Sequence, residues 1–360
     1  MLQYEIDFLA VGEGERSGDA IALRCGSNGT YTIHVVDGGD EAAGKALVRH
    51  INAYYGSPGF IDHVVLTHAD DDHSSGLREV IQSFDVGAIW MNRPWLYSDE
   101  IIESFQDRRL TVAGLERRLR EDYPILVEIE EVAMGRGIPV FEAFQGGQVG
   151  DFLILSPTRY RYLQLIPQFS RTPEAAEAGQ QGLGLGDALG KALRAGLAWI
   201  AETWGRETLE EDVETSASNE SSVVQFADFG GRKLLLTGDA GVQSLHDSAD
   251  YADMLRLGLP GLRFLQVPHH GSRHNVSPSV LNRWLGEPVP RGAPTQTTAF
   301  ASVAADDEEH PRKKVVNAFT RRGAPVHVTK GTNKRHHHNM PDREGWTTSE
   351  PLAFSNEVEA

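Results

Sequence analysis

The chain has 360 residues, 40% of them hydrophobic and 24% charged, a mixture that excludes wholesale disorder and a fibrous repeat. Its 34 Lys and Arg face 51 Asp and Glu, and the resulting net charge of −17 argues against a general polyanion binder, because nonspecific nucleic-acid affinity comes mostly from phosphates neutralised by basic side chains. A single cysteine, Cys25, excludes an intramolecular disulfide, and no run of about 18 apolar residues offers a membrane span.

The start, Met1-Leu2-Gln3-Tyr4-Glu5, lacks the basic residues and apolar core of a secretory signal, so a cytoplasmic protein is expected. Runs rich in β-branched and aromatic residues, Tyr4 to Val11, Ala20 to Arg24 and Tyr31 to Val36, are separated by Gly12-Glu13-Gly14 and Gly26-Ser27-Asn28-Gly29 and predict a strand meander. Asp40 is placed to cap a helix whose apolar positions Ala43, Leu47, Ile51 and Tyr54 recur every three or four residues. A buried strand follows, Asp62 to Leu66. Residues 99 to 123 are highly charged, with Ile101, Ile102, Phe105, Leu115 and Leu119 at helical spacing, and Phe152 to Leu155 reads as a strand. From Thr158 to Ser218 the strand-rich pattern is interrupted. The most regular part, Leu183 to Trp204, sets Leu185, Leu189, Leu193, Trp199 and Ile200 in a helical pattern, read either as a helix packed on the body or as a lid or dimer element. Strands resume with Ser222 to Phe229, a Gly230-Gly231 turn and Lys233 to Thr237, a hairpin pattern.

Directly after the strand ending at Leu66 stands Thr67-His68-Ala69-Asp70-Asp71-Asp72-His73. Two imidazoles and three carboxylates within six residues exceed what a solvated acidic turn needs. Neutral imidazole nitrogen and carboxylate oxygen are the usual donors to zinc and to harder divalent cations. Two more apolar strands end the same way: Leu234-Leu235-Leu236-Thr237-Gly238-Asp239 in a carboxylate, and Phe264-Leu265-Gln266-Val267-Pro268-His269-His270-Gly271-Ser272 in adjacent histidines. Alone, an Asp after a strand is usually a turn former and a His pair is weak. Three strands delivering ligand-type residues at their tips form one repeated design. His34, His50, His63, His246 and His327 lack ligand neighbours and read as structural or surface residues.

His68-x-Asp70-x-Asp72-His73, Thr237-Gly238-Asp239 and Pro268-His269-His270-Gly271-Ser272 resemble the metallo-β-lactamase superfamily, and within it the hydrolase domain of ComEC-type competence DNA-uptake proteins. Val11-Gly12-Glu13-Gly14 with Gly18-Asp19-Ala20, Val36-Asp37-Gly38-Gly39, Leu155-Ser156-Pro157, Asn219-x-x-Ser222, and Ser302-Val303 followed by His310-Pro311 agree, in the family's order. The resemblance implies a layered α/β fold, the αββα sandwich, as a single domain over residues 1–360 with 158–218 as a helical insertion. It implies two divalent cations, Zn²⁺ or Mn²⁺. His68 and Asp70 fall on one, Asp72 and His73 on the second, and Asp239 bridges them; His269 or His270 completes the second, with His270 slightly favoured. Asp72 is a candidate catalytic residue, as are Ser272 and His274, which either reach the scissile group or form the turn. The commoner superfamily motif has His where this chain has Asp70, and a further His before the bridging Asp. Here no His occurs from Ser74 to Leu245, so Asn219 or water is expected in that place. Asn219 and His310 are carried over as candidate substrate contacts.

The function implied is a metal-dependent hydrolase, a phosphodiesterase or nuclease acting on DNA or a nucleotide; with no membrane channel in the sequence, DNA import is not expected. Residues 312–338 supply a local basic segment. From Arg312 to Arg335 it carries Arg312, Lys313, Lys314, Arg321, Arg322, Lys330, Lys334 and Arg335 with no Asp or Glu. Arg312, Lys313 and Lys314 are thus candidate phosphate contacts, the plainer reading being a solvated helix face, Arg312 to Arg322, followed by a loop. His336 to His338 extend it and read as a solvated loop rather than a third metal site. Two rivals stand beside the nuclease: a small-molecule hydrolase of the same fold, cutting a lactone, thioester or phosphorylated metabolite under a lid formed by the insertion, and a non-catalytic scaffold. The sequence names no protein partner and admits a homo-oligomer.

Overall fold

The computed structural model of the chain describes residues 2–12, 14, 16–171 and 199–360. The N-terminal meander forms as expected: β1 (Leu2–Phe8), β2 (Ala20–Ser27) and β3 (Thr30–Gly38) pair antiparallel in succession. Asp40 then caps the helix Glu41–Tyr54, accepting a hydrogen bond from the Ala43 amide at 2.7 Å. β4 (Phe60–Val65), β5 (Asp85–Trp90) and β6 (Val140–Phe141) add in parallel beside β3. Next come β7 (Gln148–Val149), β8 (Phe152–Ser156), β9 (Trp199–Ala201), β10 (Val224–Asp228), β11 (Lys233–Leu236) and β12 (Leu262–Gln266). β13 (Thr298–Ala301), β14 (Val326–Val328), β15 (Lys334–His338) and β16 (Glu357–Glu359) complete the strands among the described residues.

Two seven-stranded sheets result, one in the order β15-β1-β2-β3-β4-β5-β6 and the other β14-β13-β12-β11-β10-β8-β7. Strand alternation decides what lies between them. Tyr4, Ile6, Phe8, Leu23, Val36 and Val65 of the first sheet pack on Phe152, Leu234, Leu236, Phe264 and Phe300 of the second. The opposite faces carry helices. Leu47, Ile51, Val80, Ile81 and Ile129 cover the first sheet, and Leu245, Ala249, Leu281, Trp284, Val315 and Phe319 the second. This is the expected αββα layering. The β10–β11 hairpin also forms, antiparallel.

Three expectations need correction. Trp199 and Ile200 are not helical: they lie in β9, paired antiparallel with β16, while residues 172–198, the rest of the expected helix, lie outside the described residues. His336 to His338 belong to β15, an edge strand registered against β1, not to a loop. The largest correction concerns the basic segment. Its helix, Lys313–Arg321, turns Lys314, Val315, Phe319 and Arg321 into the body. Carboxylates meet the charges: Arg312 pairs with Glu309 at 2.7 Å, Lys314 with Glu210 at 3.6 Å, Arg321 with Glu202 at 2.5 Å, and Arg322 with Glu207 at 2.7 Å. Arg335 pairs with Glu5, and the Lys313 ammonium lies 4.3 Å from the centre of the Trp199 ring. Apart from Arg312, which meets the nearby Glu309, the paired charges of this basic run are thus neutralised by acidic residues distant in sequence. Among the described residues no helix is long and apolar enough to cross a membrane.

Candidate metal centre

The site lies where strand tips from both sheets converge. β4 leads into His68, Asp70, Asp72 and His73; β11 leads into Asp239; β12 leads into His269 and His270. The loops touch at Gly238, which has φ +50°, and a Cβ there would come within 2.8 Å of the Thr67 side chain. A glycine is therefore needed for the two sheets to close at this rim.

Each imidazole is fixed by what its Nδ1 meets. Asp37, at the end of β3, accepts from the Thr67 amide, the Thr67 hydroxyl and His73 Nδ1, each at 2.7 Å. Because the Thr67 hydroxyl spends its proton on Asp37, its oxygen is left to accept from His68 Nδ1, 3.0 Å away. His270 Nδ1 donates to the Ser302 carbonyl at 2.8 Å. Asn275 donates its amide to the Asp239 carbonyl at 2.8 Å, which turns its Oδ1 toward His269 Nδ1, also at 2.8 Å. In all four rings Nδ1 is engaged by an outer partner and Nε2 is turned toward the centre, the arrangement that outer hydrogen bonds impose on metal-binding histidines.

All four Nε2 atoms face one carboxylate. His73 stands 3.5 Å from Asp239 Oδ1; His68, His269 and His270 stand 3.9, 3.6 and 4.0 Å from Oδ2. His68 Nε2, His73 Nε2 and Asp239 Oδ1 are buried without a hydrogen-bond partner among the described residues. Orphaned buried polar atoms are costly, so their convergence points to a missing charge partner. The ligand atoms of His68, His73 and Asp239, of Asp72, His73 and His270, and of Asp239, His269 and His270 lie within 4.8 Å of one another in each set. Donors about 2.0–2.2 Å from a shared cation are spaced this way, and the residues fit divalent metal.

The electrostatics agree. Burial alone would raise the Asp239 carboxyl, but the imidazoles of His269, His73 and His270 hold it well below the usual carboxylate range. Burial likewise would lower His73, yet the Asp239 and Asp37 carboxylates hold it well above the usual imidazole value. Asp19, wholly buried behind His73, is pushed up to about 7 by burial, with Asp239 and Asp37 adding to the rise against the opposing pull of His73.

The other expected residues separate into two groups. Asp70 belongs to the centre: its Oδ2 is 3.6 Å from His68 Nε2, and Ser218 donates to its Oδ1 at 2.8 Å. Asn219, buried, lies with its amide nitrogen 3.1 Å from His269 Nδ1, so it stands behind that ring. Ser272 is buried and accepts from the His274 amide at 3.3 Å, while the Thr215 hydroxyl donates to the His274 carbonyl at 2.6 Å. Neither Ser272 nor His274 lines the cleft above the centre. His310 does. Its Nδ1 is 3.1 Å from Asp307, which also accepts from the Ser17 hydroxyl at 2.8 Å. Arg16, Arg171 and Lys330 share that cleft with Asp70, Asp71, Asp72, Asp306, Glu308 and Glu309. Arg312, Lys313 and Lys314 do not line it. Asn275 and Ser218 are supporting residues that sequence reading missed; Asp37, immediately before the pair Gly38-Gly39, stood among the matching strings but without a role.

Residues 14–147 match the family described as Metallo-beta-lactamase superfamily. Among solved structures, the metallo-beta-lactamase fold protein YhfI from Bacillus subtilis is 9% identical with a TM-score of 0.41, covering 93% of this chain and 100% of that one. A diphosphatase from the PhnP family is 11% identical with a TM-score of 0.39, covering 94% and 98%. The hydrolase AbOPH is 10% identical with a TM-score of 0.27, covering 61% of this chain and 56% of that one. No curated protein matches the sequence. Over residues 14–147 the chain is thus similar to the metallo-β-lactamase superfamily.

Proposed function

We propose that the protein is a metal-dependent hydrolase cleaving a phosphodiester in a short substrate, such as a nucleotide or a strand end. The observation that supports this most is the set of four imidazole Nε2 atoms turned on Asp239, beside an open cleft lined by His269, His270, Asp70 and Asp72. His68, Asp70, Asp72, His73, Asp239, His269 and His270 would hold two divalent cations, with zinc and manganese both suited to a mixed nitrogen and oxygen set. Such cations, when bound, lower the pKa of a water and offset charge on the oxygen of the group attacked. The chain's own residues do the rest. Asp37, Thr67, Asn275 and the Ser302 carbonyl hold the imidazoles in register. Arg16 and Lys330 place positive charge beside an incoming oxyanion, and Asp307 fixes the His310 ring at the cleft wall.

A long strand is disfavoured because Arg312, Lys314, Arg321 and Arg322 are committed to carboxylates. The acidic wall of Asp306, Glu308 and Glu309 favours a second reading, a small-molecule hydrolase cutting a lactone, thioester or phosphorylated metabolite.

The test is a substrate panel with Mn²⁺ or Zn²⁺: bis-p-nitrophenyl phosphate, a cyclic dinucleotide, linear single-stranded DNA, a lactone and a thioester. Diester hydrolysis is expected, lost in Asp239→Ala, with kcat/KM changing little between low and physiological salt. Diesters left intact while a lactone or thioester is cut would establish the second reading; steep salt dependence would restore the polymer.

A further inference from the structure

The cleft beside the centre has a volume of about 1360 Å³, more than the roughly 300–1,000 Å³ of an ordinary small-molecule pocket. A phosphodiester at the centre would fill one part of it, so the walls decide what else a substrate carries. Three cations line it. Arg171 pairs with Asp71 at 2.9 Å, whereas among the described residues neither Arg16 nor Lys330 meets a carboxylate. Both of these are rooted on one stretch of wall, Ser302 to Ala304. The Ser17 hydroxyl, next to Arg16, accepts from the Ala304 amide at 2.9 Å, and the Lys330 amide donates to the Val303 carbonyl at 3.0 Å. The Thr329 hydroxyl locks the same joint, accepting from the Val303 amide at 2.8 Å and donating to its carbonyl at 2.9 Å. Lys330 is thereby held at φ +33°, a left-handed conformation that a lysine keeps only where contacts dictate it. The Ser302 carbonyl in turn meets Nδ1 of His270, the side of that ring away from Asp239. The two cations are therefore anchored behind the imidazole, not over the centre, and an anion that they hold is a second one, distinct from the group attacked.

We propose that Arg16 and Lys330 form a subsite for a terminal phosphomonoester, a second group of the substrate that is bound and not cleaved; this rests on the diester reading above and narrows its substrate. Their two positive charges match the charge of about −1.5 to −2 on a phosphomonoester near neutral pH, where a carboxylate would leave one of them unmatched. A guanidinium also meets phosphate oxygens two at a time. Asp306 and Glu308 line the same cleft and have no basic partner among the described residues, so a further phosphate beside them is repelled. The preferred substrate is a short diester with one terminal phosphate, such as a phosphorylated dinucleotide, and not an extended strand.

The experiment uses the full chain loaded with Mn²⁺ and three substrates: a dinucleoside monophosphate, the same dinucleotide with a phosphate added at its 5′ or its 3′ end, and a trinucleotide with that phosphate. At one of the two ends the added phosphate should raise kcat/KM about tenfold, chiefly through KM, and the trinucleotide should lose that gain. Arg16→Ala and Lys330→Ala should each bring the ratio between the first two substrates toward one, and Asp306→Asn combined with Glu308→Gln should bring the trinucleotide up toward the phosphorylated dinucleotide. Calorimetric titration of the loaded chain with adenosine, adenosine 5′-monophosphate and adenosine 3′-monophosphate reads the subsite without turnover. Lys330→Ala should weaken the tighter monophosphate about tenfold. A wild-type ratio of one at both ends, or monophosphate binding that neither Arg16→Ala nor Lys330→Ala weakens, would overturn the subsite and leave diester hydrolysis standing. No diester cleaved, with a monophosphate still bound through Lys330, would instead overturn the diester reading and leave the subsite to a phosphorylated substrate of another kind.

Discussion

Asp37 is not among the proposed metal ligands, yet by its contact with one of them, His73, it bears on one cation. Its Oδ1 accepts from the Thr67 amide, and its Oδ2 accepts from the Thr67 hydroxyl and His73 Nδ1, all at 2.7 Å and fully buried. Asp37→Asn keeps volume and one oxygen. That oxygen stays with the Thr67 amide, and the new amide group then faces His73 Nδ1–H, donor against donor. The cheapest relief is for His73 to move its proton to Nε2, the atom that must stay bare to bind metal. Loss of an outer partner of this kind costs about 10–100-fold in metal affinity, or about 1.4–2.8 kcal/mol. The loss should fall on the cation served by Asp72, His73 and His270 and spare the other. Competition against a chromophoric chelator measures both dissociation constants, and nitrogen NMR of His73 reports the tautomer. Two unchanged dissociation constants in a folded Asp37→Asn protein would refute the tautomer argument.

Two further outcomes are expected elsewhere in the fold. Arg321→Met leaves the Glu202 carboxylate buried without its partner, which should cost about 3–5 kcal/mol of stability in urea unfolding while leaving turnover per folded molecule unchanged; intact stability with weakened DNA binding would return this helix to the substrate path. His34, buried between the sheets and beside His63, is pushed down to about 3 from 6.5. Below pH 6.5 the unfolded chain takes up a proton that the folded ring refuses, so this contribution is complete above 6.5 and is lost as pH falls from 6.5 toward 3, about 2 kcal/mol by pH 5. Urea unfolding at pH 7.5 and pH 5 should show a smaller acid loss in His34→Leu than in wild type, and equal losses would remove His34 as the cause.

What the sequence revealed, and what it concealed, divides along the range of the interactions. The meander, the Asp40 cap and the three ligand-bearing strand tips are local patterns, set by alternation, capping and a few adjacent residues, and they formed as read. The basic helix was misread because its partners, Glu202, Glu207 and Glu210, lie more than a hundred residues away in the chain. The same distance hid the tethers: nothing next to His73 names Asp37, and nothing next to Asp70 names Ser218. Trp199 and Ile200 had helical spacing, but pairing with β16 made them a strand, a partner at the other end of the sequence overriding a local period.

Because His68, Asp70, Asp72 and His73 come from one sheet and Asp239, His269 and His270 from the other, the two cations proposed for this centre would draw their donors from both halves of the sandwich. A cation bound there is a crosslink across a seam, and its capture reports that the two halves have met. Apparent stability should then follow the free metal concentration, since a ligand that binds only the closed form favours it by mass action. A chelator would ease the seam open at this rim, while the packing of Phe8 on Phe264 and Phe300 keeps the interior shut.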